Sequence, residues 1–177
     1  MNTNLRIALP EICTLLQNEL ELKFNAAPFG SCYLLGHCLA EGLSKSGFSA
    51  REVSGHLILQ DKNDKPVVYG TAKYKGRLVG YYHTWCVLND GENIIVDPSM
   101  KYNKVFLKQE YKIKVNQKIS DIIIVKETTL FPVQYIEDTR LVQQSKEFLN
   151  TVNKNVINEL INKISAKVDS LVGKQRD

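Results

Sequence analysis

Cys32, His83 and Asp97 are the residues with the strongest case for chemistry, and they occur in that order along the chain. Cys32 lies in Gly30-Ser31-Cys32-Tyr33, where a loop turns into a helix. His83 lies in Tyr81-Tyr82-His83-Thr84-Trp85-Cys86, a run with strand character. Asp97 ends Ile94-Ile95-Val96-Asp97-Pro98, the segment after a tight turn. A thiol, an imidazole and a carboxylate so placed are the parts of a nucleophile, proton shuttle and orienting group. The first turn of a helix offers unpaired amides and partial positive charge, which stabilise a thiolate and an acyl oxyanion.

Helices and strands must position these groups. Residues 9–24 predict a helix, with Pro10 in its first turn and Ile12, Leu15, Leu16 and Leu20 on one face. A second helix is expected from Cys32 to about Ser46, capped by Ser31 and stopped at Gly47. Strands are expected over roughly 51–60, 66–74, 80–88, 92–97 and 119–125, and another over 104–115. A three-residue loop, Asn89-Asp90-Gly91, would set His83 opposite Asp97 with both side chains on one face. From about 138 to 172 the apolar spacing predicts one long helix, with a break near Asn153–Asn155 as the alternative. Unbroken, it would be about 50 Å long. Its apolar stripe packs on the sheet or takes a protein partner.

Hydrophobic residues at 44% and charged residues at 24% of 177 match a globular chain rather than a disordered one. One domain over 1–177 is expected, with a core at about 9–130 and a helical extension at about 138–173. No apolar run is long enough for a membrane span and no signal peptide is visible, so a cytoplasmic protein is expected, with specialised secretion as an effector left open. The net charge of +4 is spread over lysines, densest at Lys101, Lys104, Lys108, Lys112 and Lys114. No aromatic residues interleave there as a single-strand binder would need, so no nucleic-acid partner is expected. The four cysteines are expected as thiols. Cys32, His37 and Cys38 form no CxxC or HxxxH pair, so no metal and no cofactor is expected. His56 is a rival base without an evident carboxylate partner.

Gly30-Ser31-Cys32, His83-Thr84-Trp85 and Val96-Asp97-Pro98 together resemble the transglutaminase-like superfamily, within the broader papain-like group. The stretch Gly47-Phe48-Ser49-Ala50-Arg51 is similar to that family's helix-to-strand crossing. The resemblance spans about residues 28–100. It implies an α+β fold in which the cysteine helix packs on an antiparallel sheet, here with a long C-terminal helix added. It implies a catalytic Cys32, His83 and Asp97 and a thioester intermediate passed to water or to an amine. A peptidase or amidase acting on a peptide or protein substrate is the leading expectation. A transglutaminase or glutamine deamidase is the alternative in the same site. A non-catalytic module that binds a partner through the C-terminal helix is a third. The layout is also similar to the leader peptidases of lasso-peptide maturation. The arginine-rich approach to the cysteine of arylamine acetyltransferases is missing, and no acidic cluster matches the calcium sites of the animal crosslinking enzymes. Papain-like enzymes often place a glutamine shortly before the cysteine as an oxyanion donor, and none stands here. Asn25 and Trp85 are the candidates for the oxyanion or the substrate groove, with Tyr81 and Tyr82 behind them.

Overall fold

The computed structural model describes residues 3–24, 30–89, 91–127 and 132–173. Helix α1 (Thr3–Phe24) begins earlier than the apolar spacing alone suggested. Leu5, Leu9, Ile12, Leu16 and Leu20 recur every three to four residues and are all buried, so the stripe extends through Pro10 rather than starting there. Helix α2 (Cys32–Lys45) follows. Ser31 occupies its N-cap position, but its side chain makes no cap bond, contrary to expectation. The far end closes as expected at Gly47, whose φ of +87° suits only glycine. There Phe48 N–H donates to the Leu43 carbonyl and Gly47 N–H to that of Ser44, so the last carbonyls are satisfied.

Strands β1 (Ala50–Gln60), β2 (Pro66–Tyr69), β3 (Arg77–Gly80), β4 (His83–Asn89), β5 (Asn93–Asp97), β6 (Ile123–Lys126) and β7 (Val133–Glu137) form one sheet. Its order is β3-β2-β1-β4-β5-β6, with β7 also paired to β1. The sheet is mixed rather than antiparallel throughout, because β2 and β3 run parallel. The expected strand at 66–74 is only four residues long. The β1–β2 turn is as expected, held by the Asp61 carboxylate accepting from the amides of Asn63 and Lys65.

The expected strand at 104–115 is mostly helix α3 (Met100–Glu110). Its buried positions are Met100, Tyr102, Asn103 and Leu107; Met100, Asn103 and Leu107 stand at helical spacing, and this pattern outweighs the alternation of Tyr111, Ile113 and Val115 that follows. Only Val115 joins a β-bridge, to Asp61. The lysines of this region are partly paired: Lys101 with Glu21 and Lys104 with Asp121, each at 2.7 Å.

The long C-terminal helix is not continuous. A strand, β7, precedes a 3₁₀ turn at Thr139–Leu141, then α4 (Val142–Leu149) and α5 (Lys154–Val172). Asn153 caps α5, its side chain accepting from Asn155 N–H, at the position where a break was the alternative. The buried stripe of α5, Ile157, Leu160, Ile164 and Val168, packs against α1 and α2, not on the sheet. Gly42 permits this, since a Cβ there would lie 2.4 Å from Ile164 Cγ2. The buried stripe of α5, for which a protein partner was the alternative, is therefore covered by the chain's own helices. Among the described residues no helix is long and apolar enough to cross a membrane.

Two layers cover the sheet. Cys86, Leu88, Ile94 and Val96 face the layer of α1 and α2, to which α5 is added. Val53, Trp85, Val87 and Ile95 point the other way, as alternation along a strand requires. On that side α3 contributes Met100 and Leu107 to a cluster with Leu57, Leu59 and Tyr69. At twenty-odd cal/mol per Å² of apolar surface removed from water, each fully buried leucine in these clusters contributes roughly 2 kcal/mol.

Candidate active site

Strand β1 serves two partners along one edge. Residues 50–55 pair with β4 and residues 55–59 with β7, and Gly55 meets both His83 and Glu137. A Cβ at Gly55 would lie 2.0 Å from the Ile136 carbonyl oxygen, so only glycine fits this fork. His83 is the first residue of β4 and sits at the fork. Strand β7, absent from the sequence reading, approaches from the other branch.

The β4–β5 hairpin differs from expectation by one residue. The strands close at Asn89 and Asn93 rather than at Leu88 and Glu92, with Gly91 at φ +79°. The register therefore shifts by two, and Asp97 sits diagonal to His83 instead of directly across. A shift of two preserves the face. His83 Nε2 donates to Asp97 Oδ2 at 2.8 Å.

Both groups are fully buried, with relative exposures of 0%. Burial alone would depress the imidazole pKa. The Asp97 charge and hydrogen bond outweigh it, the Cys32 sulfur adds to them, and the pKa is pushed up to about 10. Burial would raise the Asp97 pKa. The His83 charge, its hydrogen bond and two bonds from Ser99 hold it below the ordinary carboxylate value instead. Ser99 donates to Oδ1 through its amide at 2.8 Å and its hydroxyl at 2.6 Å. Tyr135 of β7 donates its hydroxyl to Oδ2 at 2.7 Å. Asn103 Nδ2 supports the Ser99 hydroxyl at 3.3 Å. Asp97 thus accepts four hydrogen bonds, which fix its plane and through it the imidazole ring.

Helix α2 carries Cys32 at its first position, and Gly36 one turn later lies against β4. A Cβ at Gly36 would stand 3.1 Å from Thr84 Cγ2 and 3.2 Å from the Trp85 backbone. The missing side chain is what lets the helix start draw close to His83. Cys32 and His83 line one cavity of about 480 Å³. His83 Nδ1, the nitrogen not facing Asp97, is buried without a hydrogen-bond partner at ordinary geometry, while the Cys32 sulfur is near enough to lift the ring's pKa. Hydrogen bonds between nucleophile and base are commonly long before substrate binds. Replacing Gly36 by leucine should push α2 off a backbone that cannot yield. The expected result is a loss of about 1–3 kcal/mol in stability and, because misplacing reacting groups by ~1 Å costs about 100-fold, a disproportionate loss of turnover. Calorimetry and a rate measured on the folded variant test it, and wild-type values in both would show that close approach is not needed.

Among the described residues the remaining cavity wall is aromatic and uncharged: Tyr33, Tyr69, Tyr81, Tyr82, Phe106 and Phe148, with Val79 and Asn103. Tyr33 and Tyr82 each pack on the half-exposed Phe148 ring, at centroid distances of 5.7 and 6.1 Å.

The other sequence candidates fall elsewhere. Asn25 lies outside the described residues. Trp85 is buried behind the His83 ring, near parallel to it at 6.2 Å and against Tyr135 at 5.1 Å, so it walls the imidazole–carboxylate pair from water and not the cavity. Tyr81 is 84% exposed at the cavity mouth. His37 bonds to Glu52 at 2.9 Å. His56 does have a carboxylate partner, contrary to expectation: Asp138 at 3.1 Å, itself held by Arg140. That pair is not on the Cys32 cavity, and Gly70 closes over the His56 ring, where a Cβ would lie 2.3 Å from Nδ1. Among the described residues no group of three or more metal-ligating side chains occurs.

All four cysteines are free thiols. Cys13, Cys38 and Cys86 are buried, and burial pushes Cys38 and Cys86 up to about 12 and raises Cys13 as well. Only Cys32 is partly exposed.

Tyr135, Ser99, Asn103 and Tyr69 were not found from sequence. The Ser99 role follows from its place two residues beyond an aspartate, a spacing that favours side-chain-to-amide bonds. The others come from elements distant in the chain.

No family model matches the chain, and no curated protein matches it. A solved crystal structure of a genomics target shares its fold at a TM-score of 0.59 and 12% sequence identity, over 94% of this chain and 78% of the other.

Proposed function

We propose that the protein is a cysteine-dependent acyl enzyme of the transglutaminase-like type, acting on peptide or protein amide bonds and releasing the acyl group to water. One observation carries this reading: Cys32 and His83 line one cavity while Asp97 grips the far nitrogen of the same imidazole at 2.8 Å. In the reaction the proton that Cys32 and His83 share rests on His83 Nδ1, as the raised imidazole pKa requires, and the Cys32 sulfur attacks the amide carbonyl carbon. The tetrahedral adduct collapses to a thioester as His83 returns the proton to the leaving amine. Water then attacks the thioester, again deprotonated by His83, and the acyl product leaves as a carboxylic acid. Asp97 keeps Nε2 protonated throughout, so that Nδ1 is the nitrogen that exchanges protons.

The test is acid-quenched mass spectrometry of the protein with a panel of peptides in ¹⁸O water. The expected result is an acyl adduct on the peptide containing Cys32 and one ¹⁸O in the released carboxylate. No adduct on Cys32 with any peptide sinks the proposal. Capture of the acyl group by a lysine amine, without ¹⁸O product, would assign the same site to amine transfer.

The aromatic lining sets an expectation for selectivity. Among the described residues no carboxylate, lysine or arginine lines the cavity. An unpaired charge brought there forfeits its hydration. Peptides with an uncharged aromatic or aliphatic residue at the acyl position should exceed their aspartate or lysine counterparts by about 100-fold or more in kcat/KM. Equal values across such a panel would remove the cavity from substrate recognition.

A further inference from the structure

No glutamine stands shortly before the cysteine, Gln17 donating instead to the Pro98 carbonyl, and the backbone amide at a helix start supplies one donor for an acyl oxyanion. A second donor must come from the cavity wall. Tyr69 ends β2 and is 6% exposed. Its ring stands 5.9 Å from that of His83. Its hydroxyl is buried and has no hydrogen-bond partner among the described residues. A buried hydroxyl without a partner costs about 1–3 kcal/mol, and native proteins rarely carry one without a use. The neighbouring hydroxyls show the contrast: Tyr135 bonds to Asp97, Tyr102 to the Gln17 carbonyl and Glu21, and Tyr111 to the Val79 carbonyl.

The fold also makes room for this ring. Tyr69 pairs with Gly80 across a register shift between β2 and β3. A Cβ at Gly80 would lie 2.6 Å from Tyr69 Cδ1, so the ring occupies space that a side chain there would fill. Both residues line the Cys32 cavity. From the proposed acyl chemistry, on which this rests, we infer that the Tyr69 hydroxyl donates a hydrogen bond to the oxyanion formed on the substrate carbonyl, making Tyr69 a catalytic residue. When the Cys32 sulfur bonds to the carbonyl carbon, the C=O electron pair moves onto oxygen. The Tyr69 O–H meets that charge and keeps its proton. The pair returns as the leaving group departs. Burial, and after it the charge of the Cys32 sulfur, raise the Tyr69 pKa, so the hydroxyl remains in its donor form. Such a donor is worth on the order of 100-fold in rate.

The test separates a reaction that makes an oxyanion from one that does not. The full chain and its Tyr69→Phe variant are treated with p-nitrophenyl phenylacetate, which acylates a thiol through a tetrahedral adduct and expels p-nitrophenolate. Parallel samples receive iodoacetamide, which alkylates the same thiol at a saturated carbon. Tyr69→Phe should acylate on the order of 100-fold more slowly and alkylate within about twofold of wild type, with a Tm unchanged or raised because an unpaired hydroxyl has gone. Acylation at the wild-type rate overturns the inference and leaves the acyl-enzyme reading standing. A parallel fall in both rates overturns it as well, since Tyr69 would then act on thiol reactivity or on the fold. Wild-type protein that shows no Cys32-dependent acylation overturns the underlying reading, and the inference falls with it.

Discussion

Alanine at Cys32 should abolish turnover, with a loss on the order of 10⁵-fold or more, because Cys32 is the one thiol on the cavity wall among the described residues. The same change should leave the fold unaltered. Cys32 is partly exposed at the start of α2, and its side chain belongs to none of the buried apolar clusters. A substitution of that kind shifts stability by about 0.5 kcal/mol or less. Iodoacetamide supplies an independent readout. It should modify one thiol quickly in the native protein, Cys32, and that reaction should vanish in Cys32→Ala. Cys13, Cys38 and Cys86 should label only on unfolding, because they are buried and their thiols are held protonated. Residual turnover at the wild-type level, or equal labelling of all four cysteines, would remove Cys32 from the mechanism.

The groups that meet at this site differ in how far sequence could reveal them. Cys32, His83 and Asp97 were legible because each sits at a local landmark: a helix start, a strand, a strand end before proline. Their shared face survived an error in the loop, because a register slip of two residues keeps parity. Tyr135 and Tyr69 were not legible. The chain has eight tyrosines, and nothing local distinguishes these two. Tyr135 reaches Asp97 only because β1 changes partner at Gly55, a contact between residues some eighty positions apart. Tyr69 lines the cavity at a register shift beside a parallel strand, which no local pattern announces. Helix α3 was misread because its flanking lysines and the alternating Tyr111, Ile113 and Val115 mask a short helical stripe. The sheet's mixed sense was hidden likewise, since parallel pairing of so short a β2 and β3 leaves no periodic signal of its own.

Asparagine at Asp97 keeps the side chain's size and removes its charge, and two separate losses should follow. The first is catalytic. An amide at this position no longer dictates that Nε2 carries the proton, and loss of the tautomer in such a system costs about 10⁴-fold in kcat. KM should change little, because Asp97 is fully buried behind His83 and is not part of the cavity wall. The second concerns stability and its pH dependence. His83 has a folded pKa of about 10, above its ordinary value of 6.5. A group raised in this way stabilises the fold fully below about pH 6.5. Above that pH the folded state holds a proton that the unfolded state has released. Stability should then fall by about 1.4 kcal/mol per pH unit until the imidazolium itself titrates near pH 10. The Asp97 carboxyl is shifted the opposite way. Its contribution is present above about pH 4 and is lost as the pH falls through the lowered folded value. Both limbs express one buried interaction, so they are not added. Breaking such a pair costs a few kcal/mol. In Asp97→Asn the imidazole loses its counter-charge while remaining fully buried, so its pKa should drop and the alkaline decline from pH 6.5 to 10 should flatten. Denaturant unfolding at a series of pH values, run beside the turnover assay, reads both losses. An alkaline limb as steep in the variant as in wild type would show that the Asp97 charge does not hold the proton on His83, and unchanged turnover would reduce Asp97 to a residue that shapes the turn.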